Sequence, residues 1–243
     1  MRLHSLGKLA LVCSAAFSAG AGAVILPSDG TYVYLPGTSI LAEPNLAGTT
    51  IAASTTPFMF TIYGFGGIGT SVPVGTITGT LDSLVIREDS TGTLDFYWQV
   101  LNTSTSSPVF QITDVELGHF FASQYDANWR SDLPGDISVL SAGSGAPGAP
   151  KPGSITFNFY ACLQSCFTGQ ASNYFFLHTD AEEYAATALM RIDSSGPGIT
   201  AGSSGSIVTF APAVPEPSTY LFLLSGLGAM GVIRRWRGAP RPN

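Results

Sequence analysis

The sequence predicts an all-β domain, an antiparallel β-sandwich of jelly-roll-like type. Three observations carry this expectation: period-two alternation of apolar and polar residues recurs through the middle of the chain, Gly-, Pro- and Ser-rich turns separate the runs, and only Asp180 to Ala186 reads as briefly helical. The two chain ends differ in composition from this middle part. Between them lie about 190 residues, a length that suits one β domain.

At the N-terminus Arg2 and Lys8 precede the apolar run Leu9 to Ala19, which ends in Ala19-Gly20-Ala21-Gly22-Ala23. A charged start, a short apolar stretch and an Ala-x-Ala site define a secretory signal peptide over residues 1–23, cut after Ala23. The run is too short to span a bilayer, which needs ~20 residues. Cys13 follows Ala10-Leu11-Val12 and lacks the small preceding residue that a lipidated cysteine requires.

Residues 24–213 form the predicted exported domain. Its clearest strands are Thr93 to Asn102, with Leu94, Phe96, Trp98 and Val100 on one face, and Ser154 to Ala161, with Ile155, Phe157 and Phe159 opposed to Thr156, Asn158 and Tyr160. Val109 to Leu117 alternates more weakly. Shorter β-prone runs lie at Thr31 to Leu35, Phe58 to Tyr63, Val74 to Ile86, Tyr174 to His178, Ala188 to Ile192 and Ser206 to Phe210. Asp89-Ser90-Thr91-Gly92, Asn102 to Pro108, Pro134-Gly135 and Ser141 to Gly153 supply the turns. Within this stretch only Arg87, Arg130, Lys151 and Arg191 are cationic, against 15 acidic residues. Such a surface repels phosphate backbones, so nucleic acid is not an expected partner.

No catalytic constellation emerges, and the chain is expected to be non-enzymatic, with no cofactor and no metal. Cys162 and Cys166 are the cysteines left after signal removal, and an oxidising compartment favours a disulfide between them. In an extended strand they would lie ~13 Å apart, so the bond requires Leu163-Gln164-Ser165 to turn. Gly64-Phe65-Gly66-Gly67-Ile68-Gly69 has the spacing of a dinucleotide-binding loop, but Thr70 to Thr80 is β-branched and contains Pro73 and Gly75, so a flexible loop is expected. His119 and His178 have Asp114, Asp126 and Asp180 nearby in sequence, without a Gly-x-Ser-x-Gly elbow to nominate a serine. Glu182 and Glu183 are adjacent and diverge. Asp89 to Asp95 offers oxygens for calcium but reads better as a hairpin turn. Trp98 belongs to the core face, whereas Tyr125 and Trp129 sit in a run read as an exposed loop, the candidate ligand-contact loop for sugar stacking.

The C-terminal segment, residues 214–243, reads Val-Pro-Glu-Pro-Ser-Thr, then an uncharged stretch from Tyr220 to Ile233, then Arg234-Arg235-Trp236-Arg237. Pro215 and Pro217 hold Glu216 in an extended segment. From Ser218 to Ile233 a transmembrane helix would be ~24 Å long, short of a ~30 Å core, with snorkelling arginines and Trp236 making up the difference. Arg234, Arg235 and Arg237 stop transfer and favour a cytoplasmic end, leaving the domain on the periplasmic side.

Val214 to Arg237 resembles the PEP-CTERM sorting signal of Gram-negative bacteria, with Pro215, Glu216 and Pro217 matching its motif residue by residue. The resemblance implies processing by an exosortase, a membrane transpeptidase-like enzyme, near that motif, then transfer to the cell surface or extracellular matrix. Ile155 to Phe210, with Tyr174-Phe175-Phe176 and His178-Thr179-Asp180, also looks like the uncharacterised ectodomains joined to this signal. The expectation is therefore an envelope or matrix protein contacting surface polysaccharide or other surface proteins. A secreted hydrolase using His119 or His178 with a nearby aspartate, and a calcium-dependent adhesion module, are the alternatives.

Overall fold

A computed structural model describes residues 22–104, 112–122, 125–145, 151–159, 169–195 and 199–213. The strands among them are, in the first half, β1 (Val24–Ile25), β2 (Val33–Tyr34), β3 (Gly48–Gly67), β4 (Thr70–Glu88), β5 (Leu94–Asn102) and β6 (Asp114–Gly118). The second half adds β7 (Tyr125–Trp129), β8 (Ser141–Ser144), β9 (Ile155–Asn158), β10 (Phe175–Thr179), β11 (Tyr184–Asp193), β12 (Ile199–Gly202) and β13 (Ile207–Pro212). They form a seven-stranded sheet, β1-β7-β10-β5-β4-β3-β12, and a six-stranded sheet, β13-β11-β6-β9-β8-β2. Every pairing between these strands is antiparallel.

The alternation explains how the sheets meet. Leu94, Phe96, Trp98 and Val100 turn to one side of β5 and are fully buried, in one core with Val115 and Leu117 of β6, Ile155 and Phe157 of β9, and Met190 and Ile192 of β11. Trp98 lies 6.4 Å from Phe157 across the layer, and Phe157 lies 4.7 Å from Phe175 of β10. Two antiparallel sheets thus share one core, the arrangement of a sandwich.

The seven-stranded sheet is also covered on its outer side. Tyr97 stacks on Phe176 at 5.0 Å, and both pack with Ile86 and with Leu46 from a short 3₁₀ turn, Pro44–Leu46. Central strands buried on both faces need continuous apolar runs, and this is why Tyr174-Phe175-Phe176-Leu177 shows no alternation.

Three expectations are corrected. Gly64 to Gly69 is the tip of the long β3–β4 hairpin, where Gly67 and Gly69 take φ of 122° and 73°, values open to glycine, rather than a flexible loop. Asp180 to Ala186 is not helical: Tyr184 and Ala185 already pair with Pro212 and Ala211, and sheet pairing outweighs the helix preference of so short a run. The run from Tyr125 to Trp129 is strand β7, inserted between β1 and β10 with Trp129 opposite Phe175, and is not an exposed loop. Its alternation of Tyr125, Ala127 and Trp129 against Asp126 and Asn128 is the signal that identifies it.

Among the described residues no helix is long and apolar enough to cross a membrane. The expected signal peptide and C-terminal helix lie outside the described residues.

Candidate functional site

The β4–β5 hairpin turns through Asp89-Ser90-Thr91-Gly92, with Gly92 at φ 77° and its N–H donating to the Glu88 carbonyl at 3.1 Å. This tight turn sets Glu88 and Asp95, at its two feet, next to one another. β10 runs beside β5 with His178 opposite Asp95, so the imidazole meets both carboxylates. His178 Nδ1 lies 2.8 Å from Asp95 Oδ1 and 2.6 Å from Glu88 Oε1. Both carboxylate side chains are fully buried while the imidazole is 32% exposed. The Thr91 hydroxyl donates to Glu88 Oε2, and the Tyr97 hydroxyl lies 3.4 Å from the other Asp95 oxygen.

Charge governs this cluster. The hydrogen bond to Asp95 raises the His178 pKa to about 9 against the opposing effect of burial, and the carboxylates add to the rise. Burial pushes Asp95 up to about 6 despite its imidazole partner. Asp126 on β7, directly opposite His178 in the pairing with β10, is likewise raised by burial, with His178 opposing. His178 and Asp126 open onto a cavity of about 360 Å³ walled on its other side by Glu43 and the Pro44–Leu46 turn.

The hydrolase alternative needs a hydroxyl or thiol on the imidazole's second nitrogen. The residues lining this cavity, Ala23, Ala42, Glu43, Pro44, Asn45, Leu46, Asp126 and His178, supply none. Glu88 and Asp95 approach the same nitrogen, whereas carboxylates that cleave a glycosidic bond stand ~5–9.5 Å apart on either side of it. His119 is an exposed turn residue at φ 60°.

A second feature occupies the outer side of the six-stranded sheet. Because Val115, Leu117, Ile155 and Phe157 point inward, Asp114, Glu116, Thr156 and Asn158 point outward and line a groove of about 670 Å³. Arg191 of β11 bridges Glu116 at 2.7 Å and Asp193 at 2.9 Å along its edge. Tyr32 forms one wall: its ring lies over Gly143, where any Cβ would stand 2.7 Å from it, and its hydroxyl donates to the Gly145 carbonyl at 3.1 Å. Burial raises the Asp114 pKa, partly opposed by the Thr113 hydroxyl.

The aromatic candidates divide. Trp98 is core, as expected, and its indole N–H donates to Thr209 Oγ1 at 2.7 Å. Trp129 is partly buried, its N–H donating to the Leu35 carbonyl at 3.1 Å and its ring covering Gly37. Tyr125 lies edge-on to Phe120 and lines a neighbouring apolar cleft with the exposed Phe121. Cys162, Cys166, Pro215, Glu216, Pro217, Arg234, Arg235 and Arg237 lie outside the described residues.

In sequence the all-β domain is followed by a proline-flanked, apolar and arginine-capped segment. The family profile of the PEP-CTERM protein-sorting motif matches residues 213–237, and the chain carries that motif. It marks an exported protein routed to the cell envelope or surface and processed by an exosortase. No curated protein and no solved structure matches the chain.

Proposed function

We propose that the sorted protein is a non-enzymatic envelope or matrix component whose sandwich binds surface polysaccharide along the outer face of its six-stranded sheet. The observation that carries this reading is the groove lined by Asp114, Glu116, Thr156, Asn158 and Arg191 beside Tyr32. Carboxylate, amide, hydroxyl and guanidinium groups on a rigid sheet suit the vicinal hydroxyls of a glycan, and hydrogen-bonding groups in concave sites fix a ligand's orientation. Repeated crossings between the sheets after β5 support the jelly-roll-like reading.

Before processing, the precursor is held in the inner membrane by residues 218–233, with Arg234, Arg235 and Arg237 on the cytoplasmic side and the domain, 24–213, in the periplasm. There the Cys162–Cys166 bond forms.

The test is binding to the extracellular polysaccharide of the producing cells. Retention on immobilised polysaccharide is expected for the wild-type protein and a loss of about tenfold or more for Arg191→Ala, equivalent to ~1.4 kcal/mol. Wild-type protein that passes through unretained, or an Arg191→Ala variant retained equally, contradicts the reading.

A further inference from the structure

Glu88, Asp95 and His178 present one ligand atom each within 4.8 Å of one another, the amount and kind of donor that a small divalent ion requires. The imidazole cannot satisfy both carboxylates. Nδ1 carries at most one hydrogen, and its hydrogen-bond geometry favours Asp95 Oδ1, so Glu88 Oε1, in ion-pair contact 2.6 Å from the same nitrogen, is buried without a hydrogen bond of its own. Asp126 Oδ1 and Glu43 Oε2 are also buried without partners, and both residues line the cavity onto which His178 opens. Three carboxylates, Glu88, Asp95 and Asp126, thus surround one imidazole, with Glu43 on the far wall of the cavity, and Glu88, Asp126 and Glu43 each carry a buried oxygen with no hydrogen to accept. A buried anion without a partner is costly, and two fully buried carboxylates side by side are more so.

We propose that Glu88, Asp95 and His178 form a zinc site, binding through Glu88 Oε1, Asp95 Oδ1 and His178 Nδ1, with a fourth position left for water. One nitrogen and two carboxylate oxygens with a fourth position free match zinc rather than calcium or magnesium, which take six or more oxygens. Zinc bonds of ~2.0–2.1 Å hold tetrahedral ligand atoms about 3.3 Å apart, so the present 2.6 and 2.8 Å separations must widen by roughly half an ångström. Side-chain rotation supplies that. The outer partners are already in place: the Thr91 hydroxyl on Glu88 Oε2 and the Tyr97 hydroxyl 3.4 Å from Asp95 Oδ2 orient the two carboxylates. The ion would join the β4–β5 hairpin to β10 beside the Pro44–Leu46 turn, and its position is independent of the polysaccharide groove.

The full chain, purified in detergent and stripped with EDTA, is titrated with Zn²⁺ by calorimetry, and its Co²⁺ derivative is read by absorption. One zinc per chain is expected, together with a tetrahedral cobalt spectrum free of thiolate charge transfer. His178→Gln and Asp95→Asn should each weaken binding ~100-fold or more. No saturable uptake, unchanged uptake in both variants, or a thiolate band placing the ion on Cys162 and Cys166 overturns the proposal. Should either variant fail to fold, the wild-type cobalt spectrum alone decides it.

Discussion

Trp98→Ala is expected to cost about 3–5 kcal/mol of stability, the range for removing a large aromatic side chain from a packed core. Trp98 is fully buried at the centre of the layer between the sheets, within ring contact of Phe120, Phe157 and Phe175. Its indole N–H also starts a buried chain, donating to Thr209 Oγ1 at 2.7 Å, whose hydroxyl donates to Ser83 Oγ at 2.9 Å. Alanine would leave a large cavity and remove the donor to Thr209 Oγ1, whose own hydrogen bond to Ser83 Oγ remains. Trp98→Phe separates the two effects: it retains much of the ring while removing the donor, and should cost about 1–3 kcal/mol. Urea unfolding of both variants checks this, and an alanine variant within 1 kcal/mol of wild type would contradict the packing described.

Asp132→Ala is expected to cost about 1–3 kcal/mol, because it unpairs a buried guanidinium whose carboxylate partner stands at the surface, where water takes part of its place. Arg130 is 2% exposed, and its guanidinium is held in a two-pronged contact by Asp132, Nε to Oδ1 at 2.7 Å and Nη2 to Oδ2 at 2.9 Å. The Tyr97 ring, 5.8 Å beneath the guanidinium carbon, and its hydroxyl, 3.3 Å from Nη1, remain but carry no charge. Replacing both partners, Arg130→Met with Asp132→Ala, should recover much of the loss, because no buried charge is then left alone. The guanidinium holds the Asp132 carboxyl below its ordinary 3.8. A folded pKa below the unfolded one stabilises above the unfolded value and is lost as pH falls through the folded one. The gap in melting temperature between wild type and Asp132→Asn should therefore be full near neutrality and close below about pH 3.8. A gap that persists undiminished to pH 2 would contradict the ion-pair assignment.

The sandwich was readable in the sequence wherever one face of a strand meets the core and the other meets water. Ile155 to Phe159 shows this alternation, and Leu94 to Val100 keeps its core face legible although Asp95 and Tyr97 on the opposite face are buried too. It faded where both faces are covered, as in Tyr174 to Leu177, and where strands are only two to five residues long, as in β1, β7 and β8. The Tyr125 to Trp129 run reads as a loop, since its Asp, Asn and neighbouring Arg suggest solvent. Asn128 and Arg130 are instead consumed internally: Asn128 accepts the Gly37 N–H at 2.8 Å, and Arg130 is buried against Asp132. Of the His178 cluster only the parts were legible. Glu88 and Asp95 lie seven residues apart across a turn, and His178 is supplied by a strand more than eighty residues later, so only strand pairing brings them together. The outward groove is legible only after the register of β6 against β9 fixes which side chains share a face.

The sorting motif at residues 213–237 is where sequence and function connect most directly. The decisive measurement follows the chain, by mass and by cell fraction, in cells with and without the exosortase. With the enzyme, a product shortened near Pro215-Glu216-Pro217 should reach the surface or the surrounding matrix; without it, the uncut precursor should accumulate in the membrane. The same mass in the same fraction in both strains would contradict the account.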